Sequence, residues 1–172
     1  MEIFPVELYG LSLRLIDTSD AKDIASLRSS PELTKYMITV EEDVEKQEEW
    51  IRTYKERESL GIDYYFAYEN ENGLIGYNRI SKINWQDMTG FAASWIKRPT
   101  VKGFAKEMFL ARCDVAFYIL GLKVLFTEIY EKNHRAMKYW VAYGAEAISQ
   151  KNGFITLKLS SDVYEISKYD QS

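Results

Sequence analysis

Cysteine and histidine are the residues that this sequence has least of. It contains one of each, Cys113 and His134. A single cysteine excludes a disulfide within the chain, and one cysteine with one histidine falls short of the ligand clusters that hold structural zinc. We therefore expect no metal centre, and we expect the reducing environment of the cytoplasm.

Long apolar runs and an excess of positive charge are also missing. No stretch approaches the roughly 20 apolar residues that a membrane-spanning helix needs, and the segment Met1–Pro5 lacks the basic start and apolar run of a secretion signal. The net charge of -4 gives no overall field that would attract a phosphate backbone. The sequence thus predicts a soluble intracellular protein with neither a membrane nor a nucleic-acid partner.

The composition that remains is that of a globular protein. Of the 172 residues, 47% are hydrophobic and 28% are charged, which suits one domain over residues 1–172 with its own core. Tyrosine is frequent, with 13 copies. Such aromatic content is compatible with a homodimer surface, although no pattern marks an interface.

Helix and strand patterns follow one another along the chain. Strands are predicted over Leu11–Ile16, Tyr64–Tyr68, Leu74–Ile83, Met88–Ile96 and Val124–Ile129, with one or two closing strands; helices are predicted over Ala21–Leu27, Glu41–Ser59, Gly103–Gly121 and Asn133–Tyr143. This order predicts an α/β (α+β) fold. Its central sheet is mixed and mostly antiparallel, with about six to seven strands flanked by about four helices.

The segment from Ile96 to Lys106 carries the clearest chemical signal. A strand end, a short turn and the small residues Gly103 and Ala105 precede a predicted helix. The free N–H groups and positive dipole at such a helix start bind anions such as a pyrophosphate, and nearby Lys and Arg residues add charge. A plain helix start with no ligand is an equally good interpretation of this segment alone.

Two motifs in order resemble the Gcn5-related (GNAT) N-acetyltransferases. Thr100–Ala105 matches the acyl-CoA motif of that family, which is Gln or Arg, two residues, Gly, any residue, then Gly or Ala, except at its first position. Asn133–Gly144 resembles the second signature, in which Asn, two residues and Ala begin a helix that ends in Gly. The resemblance covers the chain from Leu11 to about Ile148.

The resemblance implies the GNAT fold, acetyl-CoA as co-substrate and a small amine as acceptor. It places the diphosphate on the turn from Lys102 to Lys106 and the pantetheine against the backbone of Ser94–Ile96. The predicted acetyl-CoA contacts are Ser94, Trp95, Ile96, Val101, Lys102, Gly103, Phe104, Ala105, Lys106, Asn133, Ala136 and Trp140.

The sequence departs from the family at two positions that matter for chemistry. Thr100 stands where Gln or Arg is usual, and Trp140 stands where many members have the Tyr that protonates the leaving thiolate. We name Glu128 as the candidate base that removes a proton from the amine, with Tyr139 and His134 as further catalytic candidates. A thiol with a pKa of about 8.5 is a tolerable leaving group without an acid.

The acceptor is the least determined part of the prediction. Met37, Tyr77 and Asn78 are the candidate substrate contacts. The run Lys97–Gly103 resembles sugar-nucleotide N-acetyltransferases of nonulosonic acid pathways, which favours a nucleotide-linked amino sugar. The alternatives are a ribosomal-protein-like N-terminal acetyltransferase, a non-catalytic acyl-CoA-binding GNAT module, and an unrelated α/β protein.

Overall fold

The computed structural model describes residues 3–33, 35 and 43–171. The described strands are β1 Val6–Leu8, β2 Leu11–Leu15, β3 Tyr64–Asn70, β4 Gly73–Asn84, β5 Thr89–Lys97, β6 Val124–Tyr130, β7 Glu146–Lys151 and β8 Phe154–Ser160. The described α-helices are α1 Ala21–Arg28, α2 Val44–Ser59, α3 Ala105–Asp114, α4 His134–Ala142 and α5 Ser161–Asp170.

The strands form one mixed sheet. Hydrogen-bonded neighbours follow the order β1-β2-β3-β4-β5-β6-β8-β7. The β1–β2, β2–β3, β6–β8 and β7–β8 pairs are antiparallel, whereas β5 and β6 run parallel. The predicted fold class, a mixed and mostly antiparallel sheet flanked by helices, is confirmed.

The element count is higher than predicted, for identifiable reasons. The described residues hold eight strands and five α-helices. Strand β1 has three residues, too few for an alternating pattern to be read from sequence. Helix α5 was not predicted, although Ser160 caps it by accepting a hydrogen bond from the Val163 N–H at 3.3 Å.

The predicted helix that ends at Gly121 divides into two forms. Helix α3 ends at Asp114, and Val115–Ile119 continues as a π-helical turn. The Leu120 N–H donates to the Val115 carbonyl at 2.8 Å, which is the five-residue step of a π-helix. Hydrophobic spacing does not distinguish this turn from ordinary helix, so the sequence predicted one continuous element.

The chain divides into two compact units. The first combines Met1–Arg79 with Ser94–Ala111, and the second combines Ile80–Ala93 with Arg112–Ser172. Each has a buried interior: α1, α2, β3 and β4 enclose Ile24, Ile51 and Tyr65 in the first, while Leu125 and Leu159 are fully buried in the second. The single-domain assignment stays a prediction. None of the described helices is both long and apolar enough to cross a membrane.

Candidate active site

A glycine-containing turn joins β5 to α3 in the first unit. The Arg98 N–H bonds to the Ile75 carbonyl at 2.8 Å, and the Val101 N–H bonds to the Arg98 carbonyl at 3.1 Å. Gly103 and Phe104 both have positive φ, at +82° and +68°. The first bond of the helix is Met108 N–H to Phe104 carbonyl at 2.9 Å. The amides of residues 104–107 therefore precede the helical bonding pattern and are available to an anion.

Open space surrounds this turn. A Cβ built on Gly103 meets no atom within 4 Å, and Lys102, Gly103 and Lys106 are exposed. A pocket of about 270 Å³ lies beside the turn, and its lining residues are Asn70, Asn72, Gly73, Leu74, Ile75, Val101, Lys102 and Phe104. Free amides, two exposed ammonium groups and room for the ligand suit the diphosphate of acetyl-CoA.

Arg98 is the arginine of the segment from Ile96 to Lys106, where basic residues were expected to add positive charge for an anion. Its guanidinium instead pairs with a carboxylate of the protein. Its guanidinium lies 2.7 Å from Asp23 of α1 and donates to the Leu74 carbonyl at 3.1 Å. Asp23 also accepts a hydrogen bond from the Tyr77 hydroxyl at 2.7 Å. Because Asp23 compensates its charge, Arg98 ties the turn to α1 and β4 instead of adding free charge to the diphosphate site. The Lys97 ammonium likewise donates to the Val101 carbonyl.

Strands β4 and β5 approach each other closely just before the turn. A Cβ on Gly76 would lie 2.4 Å from the Ile96 carbonyl oxygen and 3.0 Å from the Lys97 Cα. Only glycine leaves room for that carbonyl. Gly76 therefore fixes the position of the strand segment that the resemblance assigns to the pantetheine.

Ser94 lies within β5, at the start of the same segment. Its φ is +52°, a conformation that residues other than glycine adopt rarely and at a cost. The Tyr65 hydroxyl lies close to the Ser94 side chain. Burial raises the pKa of Tyr65, so the phenol stays protonated at neutral pH. Trp95 is half-buried and Ile96 is buried on the strand that follows.

In the second unit, β5 and β6 pair over a short length. The parallel register runs from Thr89 opposite Val124 to Phe91 opposite Phe126. The next contact is through a side chain, where the Thr127 hydroxyl donates to the Ala92 carbonyl at 3.0 Å. Strand β6 continues to Tyr130 while paired with β8 on its other side. This pattern leaves the last residues of β6 outside the ladder with β5.

Glu128 lies near the end of β6, and α4 follows that strand in the chain. Glu128 lies opposite Thr156 of β8 and is exposed to solvent. Asn133 caps α4 by accepting a hydrogen bond from the Ala136 N–H at 3.2 Å, which is the structural reason for asparagine at the start of the second motif. His134 in the first turn is exposed.

Trp140 and Tyr139 face different surroundings. Trp140 is 3% exposed, and the Arg112 guanidinium lies 5.8 Å from its ring centroid. Tyr139 is half-buried, with the Lys138 ammonium 5.4 Å from its ring. The indole in place of the usual phenol is therefore a packed residue that offers no O–H to a leaving thiolate.

The predicted substrate residues are only partly described. Met37 lies outside the described residues. Tyr77 and Asn78 are fully buried on β4, where the Tyr77 hydroxyl donates to Asp23 and Asn78 accepts from the Tyr68 hydroxyl at 2.6 Å. Their roles in acceptor binding stay predictions, as do the roles of Glu128, Tyr139 and His134.

The amino-acid sequence matches the model of a protein family described as the acetyltransferase (GNAT) domain over residues 11–146. The chain therefore belongs to the GNAT acetyltransferase family. A comparison with curated proteins gives no match.

Solved structures give a finer comparison. The protein FdhC, described as a nucleotide-linked sugar GNAT, is 27% identical with a TM-score of 0.87, over 98% of this chain and 96% of that one. Spermidine N-acetyltransferase from Vibrio cholerae, solved with CoA and spermine, is 20% identical with a TM-score of 0.77, over 91% and 98%. Ribosomal-protein-S5-alanine acetyltransferase from Vibrio fischeri is 20% identical with a TM-score of 0.74, over 91% and 96%. The last two share the fold with this chain.

Proposed function

We propose that this GNAT enzyme transfers acetyl from acetyl-CoA directly to the primary amine of a nucleotide-linked amino sugar. The proposed acceptor rests on the similarity to FdhC, which extends over almost the whole of both chains at a TM-score of 0.87. The proposed co-substrate rests on the turn from Lys102 to Lys106, since the amides and exposed lysines of this turn suit a diphosphate.

The residues of the first unit would hold the co-substrate. Amides 104–107 and the side chains of Lys102 and Lys106 bind the diphosphate, and the backbone of Ser94–Ile96 binds the pantetheine arm. Val101, Gly103, Phe104 and Ala105 shape the turn. A backbone N–H in the Ser94–Ile96 segment would donate a hydrogen bond to the thioester carbonyl oxygen and polarise the carbonyl. That hydrogen bond strengthens as negative charge develops on the oxygen.

The residues of the second unit would handle protons. The amine attacks the carbonyl carbon with its free electron pair, the carbon–sulfur bond breaks, and one proton must leave the nitrogen. Glu128, exposed at the end of β6, accepts that proton directly or through water. The thiolate takes a proton from solvent or from Tyr139, with His134 as the further catalytic candidate. Asn133, Ala136 and Trp140, on and before α4, are proposed contacts of acetyl-CoA.

A panel of amines tests the proposal. Release of free CoA is followed with a thiol reagent, and products are identified by mass spectrometry. We expect turnover with an amino-sugar nucleotide and only weak turnover with spermidine or a ribosomal-protein N-terminal peptide. Preferred turnover of the peptide would instead support the N-terminal acetyltransferase alternative, and acetyl-CoA binding without turnover on any amine would support a non-catalytic module.

Three further properties belong to the same proposal. We place the enzyme in the cytoplasm, with acetyl-CoA and a small amine as its partners and no metal requirement. A homodimer stays a prediction, and sedimentation or light scattering would decide it. Activity in the presence of a chelator is the measurement that tests metal independence.

A further inference from the structure

Side chains bind the backbone of β5 at the point where its pairing with β6 ends, in the second unit. The last registered pair of the β5–β6 ladder includes Phe91. The next carbonyl of β5, that of Ala92, accepts a hydrogen bond from the Thr127 hydroxyl at 3.0 Å. The carbonyl after it, that of Ala93, accepts one from Arg112 Nη1 at 3.1 Å. Two successive carbonyls of β5 are therefore held by side chains, one from β6 and one from α3.

Both donor side chains are buried. Arg112 is 3% exposed and Thr127 is 5% exposed. The Arg112 guanidinium also lies 5.8 Å from the centroid of the Trp140 ring, which is itself buried. A guanidinium that loses its hydration is costly unless groups of the protein take the place of water, and here a carbonyl and an aromatic ring do so. Because water is excluded, the bond from Arg112 to the Ala93 carbonyl is stronger than the same bond at the surface.

The peptide unit that Arg112 holds leads directly into the segment assigned to the pantetheine. A peptide unit is planar, so the direction of the Ala93 carbonyl also sets the direction of the Ser94 N–H. Ser94 has φ +52°, and a residue other than glycine keeps such a conformation only where its surroundings over-determine it. The two side-chain bonds to the preceding carbonyls supply that constraint.

We propose that Arg112 is a positioning residue for acetyl transfer. Together with Thr127 it holds the Ala92 and Ala93 carbonyls so that the Ser94 N–H, and the strand that follows it, are presented to the pantetheine arm and the thioester. We call Arg112 and Thr127 the β5 clamp. The inference rests on the proposed function, because it takes from it the assignment of this strand segment to the co-substrate.

A binding experiment tests the β5 clamp without any acceptor. Two ligands are titrated calorimetrically: CoA, and phosphoadenosine diphosphate, the part of CoA that keeps the diphosphate but lacks the pantetheine arm. We expect Arg112→Met to raise the Kd of CoA about tenfold, the scale of one misplaced hydrogen bond. The Kd of the fragment should stay unchanged. An unchanged Kd of CoA, or equal losses for both ligands, would overturn the inference.

Two further variants show whether the hydrogen bonds themselves matter. Thr127→Val keeps the shape of the side chain and removes only the hydroxyl, so it should raise the Kd of CoA by a smaller factor, about two- to fivefold. Arg112→Lys keeps a positive charge and a donor for the Ala93 carbonyl, so it should restore most of the affinity that Arg112→Met loses. If Arg112→Lys bound CoA as weakly as Arg112→Met, and Thr127→Val as tightly as wild type, the clamp would be refuted.

Asp114→Ala is the matched control for stability. Asp114 is buried two residues beyond Arg112 and pairs with Lys168 at 2.9 Å, so its loss should lower the melting temperature. The Kd of CoA should not change in this variant. A loss of CoA affinity in Asp114→Ala equal to that in Arg112→Met would show that affinity follows stability, and would overturn the inference.

Steady-state kinetics give a second readout. Since a misplaced backbone N–H would stabilise the developing negative charge less well, Arg112→Met should lower kcat about 10- to 100-fold. KM for the amine should stay unchanged, and Arg112→Lys should recover most of the lost kcat. A kcat of Arg112→Met equal to that of wild type would contradict the proposed role.

Gly76→Ala distinguishes failure of the clamp from failure of the proposed function. Its Cβ would lie 2.4 Å from the Ile96 carbonyl oxygen and so would displace the segment assigned to the pantetheine. If Gly76→Ala weakens CoA binding and the clamp variants do not, the clamp is refuted and the co-substrate assignment stands. If none of these variants changes CoA binding, the assignment of the segment fails, and the clamp fails with it.

Discussion

Replacing Gly76 with alanine is the sharpest structural perturbation of the proposed co-substrate site. The added Cβ would lie 2.4 Å from the Ile96 carbonyl oxygen, and real Cβ contacts almost never fall below 3.0 Å. The strand segment at Ile96 must therefore move by at least about 0.6 Å, since neither group is a flexible side chain. That segment carries the backbone groups assigned to the pantetheine.

Two effects determine how much Gly76→Ala changes the free energy of unfolding. Overpacking of a tight interior costs about 1–3 kcal/mol, while alanine lowers the entropy of the unfolded chain and returns about 0.4–1 kcal/mol. We expect Gly76→Ala to lower the free energy of unfolding by about 1–2 kcal/mol, which corresponds to roughly 2–8 °C in melting temperature for a chain of this size. Acetyl-CoA affinity should fall about tenfold or more, because a small displacement of backbone groups lengthens several hydrogen bonds together.

Gly90 offers a matched control for this experiment. A Cβ there would meet only the ends of side chains, Leu122 Cδ1 at 3.0 Å and Ile80 Cγ2 at 3.1 Å, in the second unit. Gly90→Ala should therefore cost stability without changing the dissociation constant for acetyl-CoA. Urea unfolding and calorimetric titration give the two numbers for each variant. Unchanged acetyl-CoA affinity in Gly76→Ala would refute the assignment of this strand segment to the co-substrate.

Three other predictions follow from single contacts. Gly103→Ala should weaken acetyl-CoA binding and lower the free energy of unfolding by about 1–2 kcal/mol, because Gly103 has φ +82° even though the space around it is open. Calorimetric titration measures the affinity and urea unfolding measures the stability. An unchanged affinity would contradict the role of the turn in binding. Asp114→Ala should destabilise the protein by about 3 kcal/mol without changing acetyl-CoA affinity, because Asp114 is buried and pairs with Lys168 of α5 at 2.9 Å. If urea unfolding showed a decrease in the free energy of unfolding below about 1 kcal/mol, α5 would dock without this pair. Burial raises the pKa of Cys113 to about 12, so a thiol reagent at pH 8 should label it only after unfolding, and fast labelling of the native protein would contradict its burial.

The sequence predicted the elements that have strong periodicity or capping residues. Helix α2 was expected to end at Ser59, before Gly61, and does. Asn133 was expected at the start of a helix and caps α4. Such signals are local, because the capping side chain bonds to a backbone group only three residues away.

The contacts that complete the candidate site are not local, which is why the sequence did not predict them. Asp23 and Arg98 lie 75 positions apart in the chain and yet 2.7 Å apart in the structure. The positive φ of Ser94 is likewise a feature that no residue pattern indicates. Motif matching predicted an anion site at the turn from Lys102 to Lys106, whereas the pairing of Arg98 with Asp23 could be recognised only in the folded chain.

Acetyl-CoA binding is the most direct test of the central claim. Thermal or urea unfolding is followed with increasing acetyl-CoA, for wild type and for Gly103→Trp, whose bulky side chain would fill the open space at the turn. At one hundred times the dissociation constant, the ligand should stabilise wild type by about 2.7 kcal/mol, and Gly103→Trp should lose most of this gain. No stabilisation of wild type at millimolar acetyl-CoA would contradict the assignment of the turn and of the reaction built on it.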